Sequence, residues 1–416
     1  MKKSGNLLYA QSGGPTAVIN SSVQGALETA RKCPQIEHIY ASYHGVEGIL
    51  EETLFELGLE NKQETAKLKS TPGAALGSCR YKLHADTDAD FAKVLAVFQK
   101  YNIRYFLYNG GNDSMDTCSR LAAFFKQVDY ECYVIGVPKT IDNDLVETDH
   151  CPGYASSARF ISTMISEVAC DANSYTSEQI IVFEIMGRNA GWLAASSSLA
   201  RLTGFGPDLI YLPEVVFDIE KFIEEVQALR KQKRLIIIAV AESLHLADGR
   251  FITDLSGEDE EDDVFGHKQQ GGAGHILAEI LKKRLNTKVR GIEFSLLQRA
   301  ANHLASEVDL CEAYQVGREA VLQAVNGVSG KMVTIKRKEA DTYETTYGLV
   351  DLDKVANAEK LVPREWINAA GNDVTADFIN YCLPLISNID HAKAPLELKL
   401  TSNGLPDFAK LERNLL

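Results

Sequence analysis

Short apolar runs that stop at a glycine or a charged residue, each followed by a helical pattern, recur along this chain and leave it few possible folds. Leu7-Leu8-Tyr9-Ala10 runs into Gln11-Ser12-Gly13-Gly14-Pro15-Thr16, and the spacing of Val18, Val23, Ala26, Leu27 and Ala30 predicts a helix over about 17–30. Ile36 to Tyr43 reads as a second strand and Phe91 to Tyr101 as a helix. Tyr105-Phe106-Leu107-Tyr108 leads into Asn109-Gly110-Gly111-Asn112-Asp113-Ser114, with a helix expected over 115–125 and Ser114 near its N-cap. Tyr133-Val134-Ile135-Gly136 leads into a charged segment, and Tyr154 to Ala172 is helical. Ile180 to Ile185 ends in Met186-Gly187-Arg188-Asn189-Ala190-Gly191, and Leu235 to Val240 ends at Ala241-Glu242-Ser243. Strands alternating with helices in this way predict an α/β fold on parallel sheets. Ligand chemistry in such sheets gathers past the carboxyl ends of the strands. One polar strand end is expected by chance; four suggest a site.

The segment Val137-Pro138-Lys139-Thr140-Ile141-Asp142-Asn143-Asp144 carries the most chemistry. It places a cation, a hydroxyl and two carboxylates within six residues. Asp142 and Asp144 are two apart, so in an extended segment they share a face. One could act as a base while the other holds a metal or orients a water. An acidic turn is the alternative, because Asp and Asn are common turn residues. The glycine turn at Gly13-Gly14, opening a helix, suits an anion, since backbone N–H groups and the helix dipole face one point. Any tight strand-to-helix turn uses the same glycines, however, and no third glycine follows at dinucleotide-binding spacing. Arg80, in the loop from Gly77, adds one more cation.

A chain of 416 residues accommodates two domains with full cores. Its net charge of −14 argues against nucleic acid as a partner. An anionic small substrate would need a local cluster of Arg and Lys working against that field. The eight cysteines are scattered without metal-ligand spacing, so reduced thiols in a cytoplasmic protein are expected. No apolar run reaches the length of a membrane span, and Ser4, Gly5 and Asn6 interrupt any signal-peptide pattern after Lys3. The acidic run Gly257 to Asp263 reads as a solvated loop or lid, because EF-hand ligand spacing is absent. Gly271-Gly272-Ala273-Gly274 reads as a flexible entry to a helix over 276–285, with a weak phosphate-binding alternative.

Taken in order, Gly13-Gly14-Pro15, Asn20, Gly110-Gly111-Asn112-Asp113-Ser114, Pro138 to Asp144, Met186-Gly187-Arg188 with Gly191, Glu242 and Gln298-Arg299 resemble the 6-phosphofructokinases over roughly residues 7–330. The resemblance implies two interleaved Rossmann-like α/β/α domains with the active site in the cleft between them. Residues 1–150 with about 300–350 would bind the phosphoryl donor, and 151–299 with about 351–416 the sugar phosphate. Two details resemble the diphosphate-dependent branch: Asp113 and Lys139 stand where ATP-dependent members carry glycine. Glycine lets a nucleotide's α-phosphate approach the backbone, whereas an aspartate fills that space and repels a third phosphate. Lys139 would neutralise charge on the transferring group.

The resemblance further implies that Asp142 is the general base toward the 1-hydroxyl of fructose 6-phosphate, with Thr140 and Ile141 beside it. Met186, Gly187, Arg188, Glu242, Gln298 and Arg299 would hold the sugar phosphate, and Arg290 would reach in from a neighbouring subunit of a homodimer or homotetramer. Gly13, Gly14 and Arg80 would contact diphosphate, and Asn112, Asp113 and Asp144 would hold Mg²⁺. Several positions depart from the family pattern. Asn112 replaces a metal-binding aspartate, Gln179 a second cross-subunit arginine, and Leu296 a His or Tyr near the 6-phosphate. Gln24 and Glu28 stand where regulated members carry effector arginines, which implies no nucleotide allostery there. The stretch from Lys331 on extends past the compact form, and Trp366, Phe378 and Ile379 imply that it buries something. Two other readings stand beside the main one: an ATP-dependent enzyme that tolerates Asp113, and a non-catalytic sugar-phosphate-binding regulatory subunit.

Overall fold

The structure, a computed structural model, describes residues 4–83, 88–256, 271–340 and 342–386. The acidic run Gly257 to Asp263 and the last thirty residues of the C-terminal extension lie outside the described residues. In chain order the strands are β1 (Gly5–Gln11), β2 (Ile36–Ser42), β3 (Leu54–Phe55), β4 (Ile103–Gly110), β5 (Tyr133–Pro138), β6 (Gln179–Ile185), β7 (Leu209–Tyr211), β8 (Leu235–Ala241), β9 (Val289–Glu293), β10 (Lys331–Arg337) and β11 (Thr345–Asp351). They form two sheets, ordered β11-β10-β5-β4-β1-β2-β3 and β7-β8-β6-β9. The pairing is parallel except at two edges, where β3 and β11 run antiparallel to β2 and β10.

β1, β4 and β5 are buried on both faces, as central parallel strands must be. Alternation sorts their side chains: Leu8, Phe106 and Val134 enter the core on one face, and Leu7, Tyr9, Tyr105, Leu107 and Ile135 the core on the other. The second sheet has one continuous core, built from β6 and β8 and closed by Val362, Ile367, Val374, Phe378 and Leu385 from the C-terminal extension. Phe378 is fully buried there, which alone contributes roughly 1.5–3 kcal/mol.

Register places the functional loops. Gln11 lies opposite Asn109, and Asn109 opposite Val137, so the turns after β1, β4 and β5 leave the first sheet side by side. In the second sheet Ile185 lies opposite Ala241, which aligns the turns after β6 and β8.

Two local expectations are corrected. The helix after β4 begins at Asn112 and not beyond Ser114, because extended Gly111 already accepts the amides of Ser114 and Met115. Asn112 and Asp113 are therefore in its first turn. The glycine run before the helix Ala273–Leu285 is not an open anion site: the Gly272 and Gly274 amides donate to the two oxygens of Glu184, at 2.9 and 2.8 Å. A carboxylate of the chain itself already occupies that helix start.

Candidate active site

The five turns meet in one cleft. Its walls carry Ser12, Gly13, Gly14 and Pro15 after β1, Gly111 to Ser114 after β4, Lys139 to Asp142 with Asp144 after β5, Met186 and Arg188 after β6, and Glu242 after β8. Arg80 completes it from a loop and Arg299 from the short helix Leu297–Ala300, both outside the sheets.

On the first-sheet side, Lys139 is 3% exposed and its Nζ donates to the Gly14 carbonyl at 2.7 Å. Gly13 sits at φ 76°, left-handed, where its amide donates to Cys79 O. A Cβ on Gly14 would come within 2.2 Å of Arg299 Nη1, so glycine here is what lets that guanidinium reach the turn. The Thr140 hydroxyl accepts the Asp142 amide at 3.1 Å, fixing the turn on which the acid sits. Asp142 and Asp144 do not share the face of an extended segment as expected. Asn143 between them is left-handed at φ 58°, so the chain turns there, and both acids still line the cleft.

On the second-sheet side, Glu242 Oε1 accepts the amides of Gly187 and Arg188 at 3.1 and 3.0 Å. The Ser243 hydroxyl donates to the Arg188 carbonyl. These bonds hold Arg188 at φ 46°, a strained backbone position for a non-glycine residue and one that gathers at functional sites.

The electrostatics are those of an anion site facing a base. Among the described residues, neither Lys139, Arg188 nor Arg299 forms an ion pair. Burial, aided by Arg299 and Arg80, lowers the Lys139 pKa to about 7 although Asp142 opposes the shift. Burial likewise lowers that of Arg299, with Arg80 adding to it. Burial raises the pKa of Asp142 against the pull of Arg188 and Lys139, and a raised carboxylate is a stronger base. Glu242 is pushed up to about 8, chiefly by burial.

Asp144 is raised to about 6, by burial and then by Asp142. Asn112 Nδ2 donates to Asp144 Oδ2 at 3.0 Å, which leaves Asn112 Oδ1 and Asp144 Oδ1 buried without a partner among the described residues. Two orphaned oxygens on neighbouring side chains fit a hard divalent cation that completes its shell with water and phosphate. Among the described residues no three His, Cys, Asp or Glu side chains cluster for a metal.

Of the residues singled out in the sequence, Gly13, Gly14, Arg80, Asn112, Asp113, Lys139, Thr140, Ile141, Asp142, Asp144, Met186, Arg188, Glu242 and Arg299 come together. Gly187 stands just behind the wall, bonded to Glu242. Gln298 is buried with its Nε2 on Ser295 O and does not line the cleft. Arg290 lies outside it, exposed on edge strand β9. Gln179 is buried at the amino end of β6, its amide turned to Ala172 O, and Leu296 is 55% exposed. Glu28 accepts from Gln24 at 3.0 Å and Tyr314 at 2.8 Å. Ser12 and Ser114 also line the cleft; their place beside the two glycine turns was the available signal.

The phosphofructokinase family profile matches residues 6–292. A Methylococcus capsulatus protein named pyrophosphate--fructose 6-phosphate 1-phosphotransferase is 40% identical over 412 residues, covering 98% of this chain and 96% of its own length. A protein of the same name from Halomonas elongata is 40% identical over 416 residues, covering 98% of this chain and 96% of that one. The crystal structure of a pyrophosphate-dependent phosphofructokinase from Nitrosospira multiformis matches with a TM-score of 0.84 at 36% identity, over 98% of this chain and 97% of its own.

Proposed function

The chain belongs to the phosphofructokinase family, and from that premise we propose how its cleft works. The reaction is the reversible transfer of a phosphoryl group from diphosphate to the 1-hydroxyl of fructose 6-phosphate, giving fructose 1,6-bisphosphate and phosphate. The single observation that carries the residue assignment is that Lys139, Arg188 and Arg299, which form no ion pair among the described residues, line one cleft with a half-buried Asp142 and act on its charge.

Diphosphate lies along the Gly13-Gly14 turn, with Arg80 and Lys139 on its oxygens. The helix start at Asn112 adds its dipole, and Asp113 there excludes a third phosphate. The sugar lies against Met186 and Arg188, with the second oxygen of Glu242 accepting a hydroxyl and Arg299 on the 6-phosphate. Asp142 takes the proton of the 1-hydroxyl as that oxygen attacks phosphorus. The bond to the leaving phosphate breaks, and Lys139 meets the charge that builds there. Asn112 and Asp144 would hold Mg²⁺ through the oxygens that lack partners, and the ion would neutralise phosphate charge.

Residues 1–150 with about 300–350 form the donor half and 151–299 with about 351–416 the sugar half, a reading supported by β10 and β11 joining the first sheet. The exposed edge position of Arg290 supports its serving a neighbouring subunit, hence a homodimer or homotetramer. Eight free thiols suit a cytoplasmic setting, and among the described residues no helix is long and apolar enough to cross a membrane.

The lowered pKa of Lys139 tests this arrangement. A lysine with a pKa of about 7 is charged below that pH and loses its proton above it. The kcat/KM for diphosphate should therefore fall as pH rises past about 7, whereas Lys139→Arg, which stays charged, should lose that part of the fall. Diphosphate ionises identically in both assays, so the difference belongs to residue 139. Superimposable profiles would remove Lys139 from the donor site.

A further inference from the structure

The C-terminal extension does more than fill the core of the second sheet. Lys360 lies between the two loops that face each other across the cleft. Its amide donates to the Asp144 carbonyl at 2.7 Å, and its Nζ donates to the carbonyls of Thr148 and Asp149 at 3.1 and 2.8 Å. The Lys360 carbonyl accepts from Trp192 Nε1 at 2.7 Å, just past the Gly187–Gly191 turn, and its ammonium rests over that indole at 5.1 Å. The residues on either side repeat the connection. Asn189 Nδ2 donates to Glu359, and Glu214 Oε1 accepts both the Gly191 and Val362 amides, at 2.8 and 2.9 Å.

Tyr381 completes the arrangement from the helix Ala376–Cys382. Its hydroxyl accepts Asn143 Nδ2 at 2.9 Å and donates to the Asp149 carbonyl at 2.9 Å. Asn143 is the left-handed residue between the two aspartates, and its Oδ1 takes the Cys151 amide at 2.9 Å. Asn143, at φ 58°, is thus bonded through both ends of its amide, one of them to a residue 238 positions away. A left-handed turn persists when its surroundings over-determine it.

We propose that Lys360 and Tyr381 are positioning residues for the phosphoryl transfer: Lys360 braces the Asp142 loop against the Arg188 loop and Tyr381 holds the turn at Asn143, so that base and cation are set in register. This rests on the reading of the cleft given above. Neither residue lines the cleft, so neither need touch substrate. The brace should affect kcat far more than substrate KM, because a displacement of about 1 Å at reacting groups can cost about 10²-fold while leaving binding contacts in place.

The test is steady-state kinetics with diphosphate, fructose 6-phosphate and Mg²⁺ on the full chain and three variants, with Tm measured alongside. Lys360→Met keeps the stem and removes the ammonium. Tyr381→Phe removes one oxygen from a half-buried ring and is the mildest of the changes to the fold. Val374→Ala is the control, a buried residue of the same extension with no bond to either loop. The expected result is a kcat fall of about tenfold for Tyr381→Phe and up to about 10²-fold for Lys360→Met, with KM within about threefold of the parent. Val374→Ala should lose Tm but keep kcat. Unchanged kcat in Tyr381→Phe would overturn the proposal, and so would a kcat loss that tracks Tm equally in the control. An inactive parent chain would instead overturn the functional reading on which the proposal rests.

Discussion

Replacing Asp142 with Ser is expected to lower kcat by about 10²–10⁴-fold while leaving fructose 6-phosphate binding nearly intact, since that is the range a positioned base supplies. The expectation comes from where the carboxylate sits. Its loop is fixed by the Thr140 hydroxyl on the Asp142 amide and by the left-handed turn at Asn143. Its pKa is raised chiefly by burial, against the pull of Arg188 and Lys139, so it is both ionisable and basic. The sugar contacts proposed above are made by Met186, Arg188, Glu242 and Arg299, none of which the substitution alters. A second readout separates loss of the base from loss of the fold. A buried carboxylate with a raised pKa binds its proton more tightly in the folded state than in the unfolded one. Ionised Asp142 therefore costs stability at neutral pH, and the Ser variant should melt no lower than the parent. Turnover assays, sugar-phosphate titration and a melting curve check these three statements. Surviving turnover would mean that another group takes the proton.

The second large effect concerns the donor. The double variant Asp113→Gly, Lys139→Gly should lose diphosphate kcat/KM by about 10²–10³-fold, the usual consequence of removing one preorganised partner of developing charge. The reason is the shared place of the two side chains. Asp113 is in the first turn of the helix that points at the donor turn, and Lys139 fills the space beside Gly14 with its Nζ on that residue's carbonyl. Removing both opens room against the backbone and withdraws the negative charge that opposes a third phosphate. Some ATP-dependent activity should accompany the loss. Comparing kcat/KM for both donors in parent and variant measures the switch. Diphosphate activity that survives the double substitution would contradict the roles given to both residues.

Much of this site was legible because its parts are carried by strand ends. An apolar run that stops at glycine, a polar residue or a charge marks the carboxyl edge of a parallel sheet, and β1, β4, β5, β6 and β8 all present such ends to the cleft. What could not be read was backbone geometry set by distant partners. The turn at Asn143 depends on Tyr381, and nothing local in an Asp-Asn-Asp run distinguishes it from an extended segment. The helix starts at Asn112, three residues before the expected position, because Ser114 is a strong N-cap type but extended Gly111 takes that role through its carbonyl. The glycine run at Gly271 offered a phosphate-binding alternative until Glu184, some ninety positions earlier, proved to fill it. The extension suggests burial through Trp366, Phe378 and Ile379, but its bonds to the loops of the cleft run largely through backbone carbonyls, which leave no compositional trace.

The measurement that tests the account most directly is the initial rate of the parent chain with fructose 6-phosphate and Mg²⁺, diphosphate and ATP compared at equal concentration. Turnover with diphosphate is expected, and none of comparable rate with ATP. Turnover with ATP alone would contradict the donor roles of Asp113 and Lys139 while sparing Asp142, and no turnover with either donor would contradict the account as a whole.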